Sequence, residues 1–403
     1  MAGCRAERAV PRDQAIPMER DTGHTGQRRL RYRRVVAKFG TATLTGGGID
    51  LDRARMADLV RQVVELRRLG ADVLVVTSGA IAAGRARLGA APVRRDIPYK
   101  QVLAAVGQIA LMQCYDELFR QHGVLIGQAL LTRADLAMRQ GYLNARNTLL
   151  ALLENGIVPV INENDVVAVE EIKFGDNDNL SAMVANAVDA DALIMLTDTG
   201  GLYTADPRRD PSATLIPVVY TIDRQIERLA GGTGTALGTG GMRTKIDAAK
   251  LATVSGVDVL IVPGDAPDVL VRAACGEPIG TRFVAAAGQR AGRQRWILSA
   301  LAGRGRIVVD DGAARALLRF GRSLLAAGVV AVEGRFRRGD PVTVVTQDGM
   351  RIACGLANYA STDLEAIKGR HSDEIEEILG FAYGDEVIHR NNLVLLAKDL
   401  ASE

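Results

Sequence analysis

The sequence predicts an α/β fold, a mostly parallel sheet sandwiched by helices, followed by a small β-rich C-terminal domain. Three observations carry that expectation. From Val35 onward, short apolar runs alternate with segments whose apolar residues recur at helical spacing. Strands joined by crossover helices build parallel sheets with helices on both faces. Around residues 285–294 the stretch AAAGQRAGRQ reads as a linker, and beyond it strand-like alternation replaces the helical rhythm. A chain of 403 residues also exceeds what one core normally holds, so two domains are expected, residues 35–290 and 291–403.

The first strand lies in RRVVAKFG and ends at Lys38. Asp50 or Asp52 then caps a helix with Met56, Leu59, Val60 and Val63 on one face, and Gly70 stops it. ADVLVVT is the next strand. A helix from about Tyr99 to His122, the strand VLIGQALL, a helix from about Leu143 to Glu154 and the strand IVPVIN follow. ALIMLTD, LIPVVY, a helix from Met242 toward Val254 and VDVLIV complete the larger domain. In the tail, VVAVEG, PVTVVTQ and MRIACGLANY read as strands, and Asp348-Gly349 turns the chain between the last two. The sequence contains no internal repeat and no low-complexity region.

Composition narrows the class. With 48% hydrophobic and 24% charged residues the chain is an ordinary globular protein, and no apolar run approaches the ~18 residues of a membrane span. An integral membrane protein is therefore not expected. Cys4, Cys114, Cys275 and Cys354 are far apart and form no C-x-x-C pair, which argues against zinc or a disulfide framework and fits a reducing cytoplasm. His24, His122, His371 and His389 are equally scattered, and no Ser/His/Asp grouping is visible. No set of protein metal ligands is assigned. The net charge of +3 comes from residues 1–34, whose nine arginines and four acids leave a balance of −2 for the rest. That leader lacks the apolar segment of a secretory signal and has too many acids for a transit peptide. It is expected to be a disordered tail or the product of a misplaced start codon.

The chemistry gathers at the strand ends, where open parallel sheets bind ligands. The first strand delivers Lys38, followed by Gly40 and Thr41; the second delivers Thr77-Ser78-Gly79 into a helix start, where free N–H groups favour an anion. IVPVIN runs into Asn162-Glu163-Asn164-Asp165. FGDNDNLSA then sets Asp176, Asn177, Asp178 and Asn179 before a helical run. Asp and Asn are preferred helix caps, but one cap would meet that need. Further on, TDTGGLYTADP and LGTGGMRTK supply two glycine-rich loops and a second lysine, Lys245. Neither loop is a Walker A motif. Two lysines, two glycine loops, a carboxylate cluster and an anion-ready helix start suit phosphoryl transfer, in which catalysis is mostly positioning and charge neutralisation.

Taken together, VVAKFGTATL, VLVVTSGAIAAGR, GQALLTRADL, VPVINENDVVAVEEIKFGDNDNLSA, LTDTGGLYTADPR and ALGTGGMRTK resemble, in order and spacing, the glutamate 5-kinases of the amino acid kinase superfamily. INEND with GDNDNLSA is the most specific part; TDxxGLYTxDP is shared across the superfamily. The tail resembles the PUA domain that many bacterial members carry. The resemblance implies the amino acid kinase fold and ATP-dependent phosphorylation of the side-chain carboxylate of L-glutamate for proline synthesis. It implies that Lys38 and Lys245 flank the transferring phosphoryl group, that Mg²⁺ bridges the phosphates and that Asp178 orients the lysines. Ser78, Asn162, Asp165, Asp176 and Asn177 would hold the amino acid. Lys38, Gly40, Thr197, Asp198 and the run Thr239, Gly240, Gly241, Met242, Arg243, Thr244 and Lys245 would line the nucleotide. Feedback inhibition by proline, hand-over to a glutamyl-phosphate reductase and homo-oligomerisation are implied as well. One departure is local: where the family has a serine after K-x-G-T, this chain has Ala42.

Two alternatives remain at this level. Another acceptor, such as aspartate, N-acetylglutamate or a nucleotide, would keep the fold; a paired ammonium separates a free amino acid from its N-acetyl form, which makes Asp165 the residue that discriminates them. An RNA-binding role for the tail would rest on Arg335, Arg337 and Arg338, yet residues 296–403 carry 13 basic against 15 acidic residues. That negative balance is a poor match for nucleic acid.

Overall fold

The structure is a computed structural model, and it describes residues 29–89, 96–168, 177–230, 241–285 and 305–396. Most of the expected leader and of the expected linker, together with Asp176, Thr239 and Gly240, lies outside the described residues. Eight strands form one sheet: β1 (Arg34–Phe39), β2 (Asp72–Thr77), β3 (Ile126–Leu131), β4 (Val158–Glu163), β5 (Ala192–Thr197), β6 (Val218–Val219), β7 (Asp258–Pro263) and β8 (Thr281–Phe283). Their order is β3-β4-β2-β1-β5-β7-β8-β6, and only the β7/β8 pairing is antiparallel. The strands of β2 and β4 lie to one side of β1, and those of β5 and β7 to the other. The chain thus reverses its winding at β1, and the crevice beyond its carboxyl end is where such a sheet takes a ligand.

The helices form as their patterns dictate. Asp52 caps Arg53–Arg68 by accepting from the Arg55 N–H, and Met56, Leu59, Val60 and Val63 are buried on its inner face. Gly70, at φ +92°, ends that turn. Asp96 caps Ile97–Arg120, with Pro98 in the first turn. This helix crosses Ala80–Leu88 at very short range: a Cβ on Gly107 would stand 1.8 Å from the Ala80 carbonyl oxygen, and one on Gly84 1.9 Å from that of Leu103. Helices Arg53–Arg68 and Ile97–Arg120 pack on one face of the sheet; Arg139–Glu154, Asn177–Ala187 and Met242–Val254 pack on the other. No described helix is long and apolar enough to cross a membrane.

Two readings differ in extent. LIPVVY forms only the two-residue β6, with Leu215 in an isolated bridge to Tyr203, because Pro217 supplies no N–H for a longer ladder. The helix expected from Leu143 begins at Arg139, inside the polar run that hid its start.

The tail forms a second sheet from β9 (Gly305–Val309), β11 (Val329–Gly334), β12 (Pro341–Thr346), β13 (Arg351–Leu356) and β15 (Leu393–Leu395), in the order β11-β9-β12-β13-β15. A short pair, β10 (Leu324–Leu325) with β14 (Glu386–Ile388), and helix Asp311–Phe320 complete it around a separate core. The Asp348-Gly349 turn joins β12 to β13, with Gly349 at φ +85° and the Thr346 N–H donating to the Met350 carbonyl at 3.0 Å.

Candidate active site

At the carboxyl end of β1 the Lys38 ammonium lies 2.6 Å from Asp178 Oδ1. Lys245, in the first turn of helix Met242–Val254, approaches the other carboxylate oxygen at 3.4 Å, and the Thr244 hydroxyl donates to that oxygen at 2.7 Å. All three charged side chains are buried, Asp178 being 1% exposed. Burial by itself would raise the Asp178 carboxyl, but the charges of Lys38 and Lys245 and the hydrogen bonds from Lys38 and Thr244 hold it well below the ordinary carboxylate range. One carboxylate therefore fixes two cations supplied by elements far apart in the chain.

Next to it, Asn177 opens the helix that carries Asp178. Its amide donates to the Thr77 carbonyl at 2.7 Å, to the Ser78 hydroxyl at 2.9 Å and to Asn162 Oδ1 at 3.0 Å. Asn162 in turn donates to Gln108 Oε1 at 2.8 Å. The ends of β2 and β4 and two helices thus meet at one asparagine. Buried here without a hydrogen-bond partner among the described residues are Asn177 Oδ1, Gln108 Nε2 and Glu163 Oε1. Such atoms are costly unless something polar completes them.

Asp165 sits just beyond β4, where Gln101 Nε2 donates to the backbone carbonyls of Asp165 and Val166 at 3.2 and 2.9 Å. Its side chain is half-buried, and desolvation pushes its pKa up to about 6. Among the described residues it has no cationic partner, so it suits an incoming ammonium group.

On the opposite side of β1, Thr197 ends β5, its hydroxyl 3.2 Å from the exposed Asp198 carboxylate. Gly241 starts helix Met242–Val254 in extended conformation without a side-chain cap, as Gly79 starts Ala80–Leu88 at φ +98°. Both starts keep first-turn N–H groups for an anion. Gly40 leaves room above Lys38, since a Cβ there would stand 3.5 Å from its ammonium nitrogen. Met242 is half-buried, whereas Arg243 is exposed and pairs with Asp247 at 3.3 Å. Ala42 is exposed, and the neighbouring Thr43 is buried against Gly264.

The structure thus brings Lys38, Lys245 and Asp178 together, joins Asn177 to Ser78 and Asn162, and leaves Arg243 at the rim. Gln108 and Gln101 were missed by sequence reasoning. Both lie on the helix Ile97–Arg120, where a glutamine among apolar residues carries no signal of its own. In the tail, Arg335 and Arg337 are exposed, while Arg338 is turned against the larger domain.

Comparison with known proteins adds the family. Residues 33–263 match the amino acid kinase family, and residues 305–379 match the PUA domain. The chain is 55% identical to a glutamate 5-kinase of Dehalococcoides mccartyi over 91% of its own length and 99% of the relative's. It is 52% identical to a glutamate 5-kinase of Herpetosiphon aurantiacus, over 90% and 98%. Among solved structures, a UMP kinase from Bacillus anthracis aligns at 17% identity with a TM-score of 0.44, covering 64% of this chain and 97% of that one.

Proposed function

The chain belongs to the amino acid kinase family and, within it, to the glutamate 5-kinases, and on that premise we propose how its own residues divide the reaction. The reaction is ATP-dependent phosphorylation of the side-chain carboxylate of L-glutamate, the first step toward proline. A glutamate side chain has a reference pKa near ~4.3, so the nucleophile is already ionised and no general base is required. The obstacle is repulsion between that carboxylate and the phosphates.

Lys38 and Lys245 offset that repulsion by flanking the phosphoryl group in transfer, and Asp178 keeps both ammonium groups in place before the substrate arrives. The observation that carries this reading is the single buried carboxylate of Asp178 between them. Asp165 takes the α-ammonium of glutamate, Ser78 and the first-turn amides beyond Gly79 take its α-carboxylate, and Asn177 and Asn162 shape the pocket between. Asp176 belongs to the same substrate group.

Gly40, Thr197, Asp198 and the run from Thr239 and Gly240 through Gly241, Met242, Arg243 and Thr244 to Lys245 line ATP. Thr244 also orients Asp178 directly. Magnesium takes oxygen ligands and usually arrives on the nucleotide's phosphates, where it neutralises developing charge. The exposed carboxylate of Asp198 is the kind of oxygen donor that fits such an ion.

Residues 35–290 act as the catalytic domain and 291–403 as the PUA-like domain. Proline, which shares glutamate's α-carboxylate and α-ammonium, acts as feedback inhibitor near the same pocket. The product is a reactive acyl phosphate, which favours direct hand-over to a glutamyl-phosphate reductase. We place the enzyme in the cytoplasm as a homo-oligomer.

Trapping the acyl phosphate as its hydroxamate tests the reading, with ATP and Mg²⁺ and with L-glutamate, L-aspartate and N-acetyl-L-glutamate as parallel acceptors. Signal with glutamate alone is expected. Equal signal with the N-acetyl compound would remove Asp165 from its role as ammonium partner.

A further inference from the structure

We infer that Arg338 of the tail is a positioning residue for the kinase reaction, acting through helix Arg139–Glu154 on the helix that carries Asn177 and Asp178. The guanidinium occupies a prepared slot. It lies 3.9 Å from the centroid of the Tyr383 ring, its Nε donates to the Asn358 carbonyl at 3.1 Å, and its Nη1 donates to Asn144 Oδ1 on the kinase-domain helix. Tyr383 is itself fixed, because its N–H donates to the Tyr359 hydroxyl at 2.9 Å and that hydroxyl donates to the Gly384 carbonyl at 2.6 Å. Gly339 follows at φ +84°, and a Cβ there would stand 3.3 Å from the Arg139 carbonyl group, so the two backbones meet closely. Asp340 adds a longer pairing with Arg139, at 3.8 Å. Only a planar, multiply donating group fills such a slot, which separates arginine from lysine here.

From its inner face the same kinase-domain helix contacts the helix that carries the site residues. Two residues after Asn144, the fully buried Arg146 donates to the Ala187 carbonyl and pairs with Asp189 at 2.7 Å. These contacts clamp the carboxyl end of helix Asn177–Ala187, whose first residues are Asn177 and Asp178. Two contacting helices, Arg139–Glu154 and Asn177–Ala187, therefore connect the tail contact to Asn177 and Asp178.

The inference rests on the roles given above to Asn177 and Asp178, and the test separates the two. Arg338→Ala, Asn144→Ala and the double variant are compared with the full chain for glutamate KM, kcat and amide hydrogen exchange of residues 177–187. We expect exchange and glutamate KM each to rise about threefold or more in either single variant, with no further rise in the double. Arg338→Lys should fail to restore them. Asn144 is exposed, so its variant keeps the test alive if Arg338→Ala misfolds. Unchanged exchange in both variants, or additive effects in the double, would overturn the relay. Faster exchange with glutamate KM and kcat both unchanged would keep the helix-to-helix link and overturn the roles of Asn177 and Asp178.

Discussion

Lys38 and Asp178 are in direct contact, 2.6 Å from ammonium nitrogen to carboxylate oxygen, with both side chains withdrawn from water. Removing one partner of a buried ion pair costs about 3–5 kcal/mol, because the other charge is left uncompensated. Asp178→Ala strands two ammonium groups and should lower stability by that order at neutral pH, read by urea unfolding. The carboxyl is depressed in the folded state, so its contribution is complete above the unfolded value and is lost as pH falls through the folded one. The difference between variant and parent should therefore narrow in strong acid.

Lys245→Ala should act on rate. Its charge matters most where phosphoryl charge develops, so kcat should fall by about 10²–10³-fold, the scale of losing one oxyanion donor. The glutamate KM should change little by comparison. Steady-state hydroxamate assays give both values, and an unchanged kcat would remove Lys245 from the mechanism.

Asp165 should impose a pH dependence on substrate binding. With its carboxyl pushed up to about 6, the ionised form that pairs with an ammonium is lost as the solution is acidified past that value. Glutamate KM should rise toward about tenfold per pH unit as the pH falls from about 6 to 5, above the range of the substrate's own carboxylate, while in Asp165→Asn it should be high and nearly flat over the same range.

The same residue predicts a gain in stability from a loss of function. A carboxyl whose folded pKa is raised contributes stability below its unfolded value, and that contribution is lost as pH rises through the folded value. At pH 8 the ionised Asp165 therefore costs up to about 3 kcal/mol in the unliganded protein, at about 1.4 kcal/mol per pKa unit. Asp165→Asn should melt higher than the parent at pH 8 and gain less at pH 5. A lower melting temperature at pH 8 would count against the desolvated carboxylate.

Gly107→Ala should destabilise through overpacking. Its Cβ would collide with the Ala80 carbonyl oxygen at 1.8 Å, and neither backbone can yield without parting two helices. A loss of about 1–3 kcal/mol or more is expected. Because Gln108 follows directly and accepts from Asn162, the variant should also raise glutamate KM.

Some of the site was legible because its signals are local. Lysine at a strand end before a glycine, and four Asp and Asn residues where one cap would do, stand out within a single window of sequence. Gln108 is different: it meets Asn162 across 54 residues, from the middle of a helix whose pattern explains it as an ordinary polar position. In the sequence Arg338 is one of three neighbouring tail arginines with nothing to set it apart, and only packing turns it toward Asn144, 194 residues away.

By itself the sequence determined the order of most strands and helices of the larger domain, though not β8 or helix Val269–Ala274, the separate character of the tail through three of its strands, and the glycine, lysine and carboxylate residues at the strand ends. Periodicity, caps and turn residues act over a few positions, so they can be read without coordinates. The tertiary structure supplied the distances at which Lys38 and Lys245 share the Asp178 carboxylate, and it alone decided that the Thr244 hydroxyl bonds to that carboxylate, that Asp165 is half-buried with no cationic partner among the described residues, and that the tail rests on helix Arg139–Glu154. Those relations depend on which long-range contacts offset the loss of chain entropy, and no short stretch of sequence contains that balance.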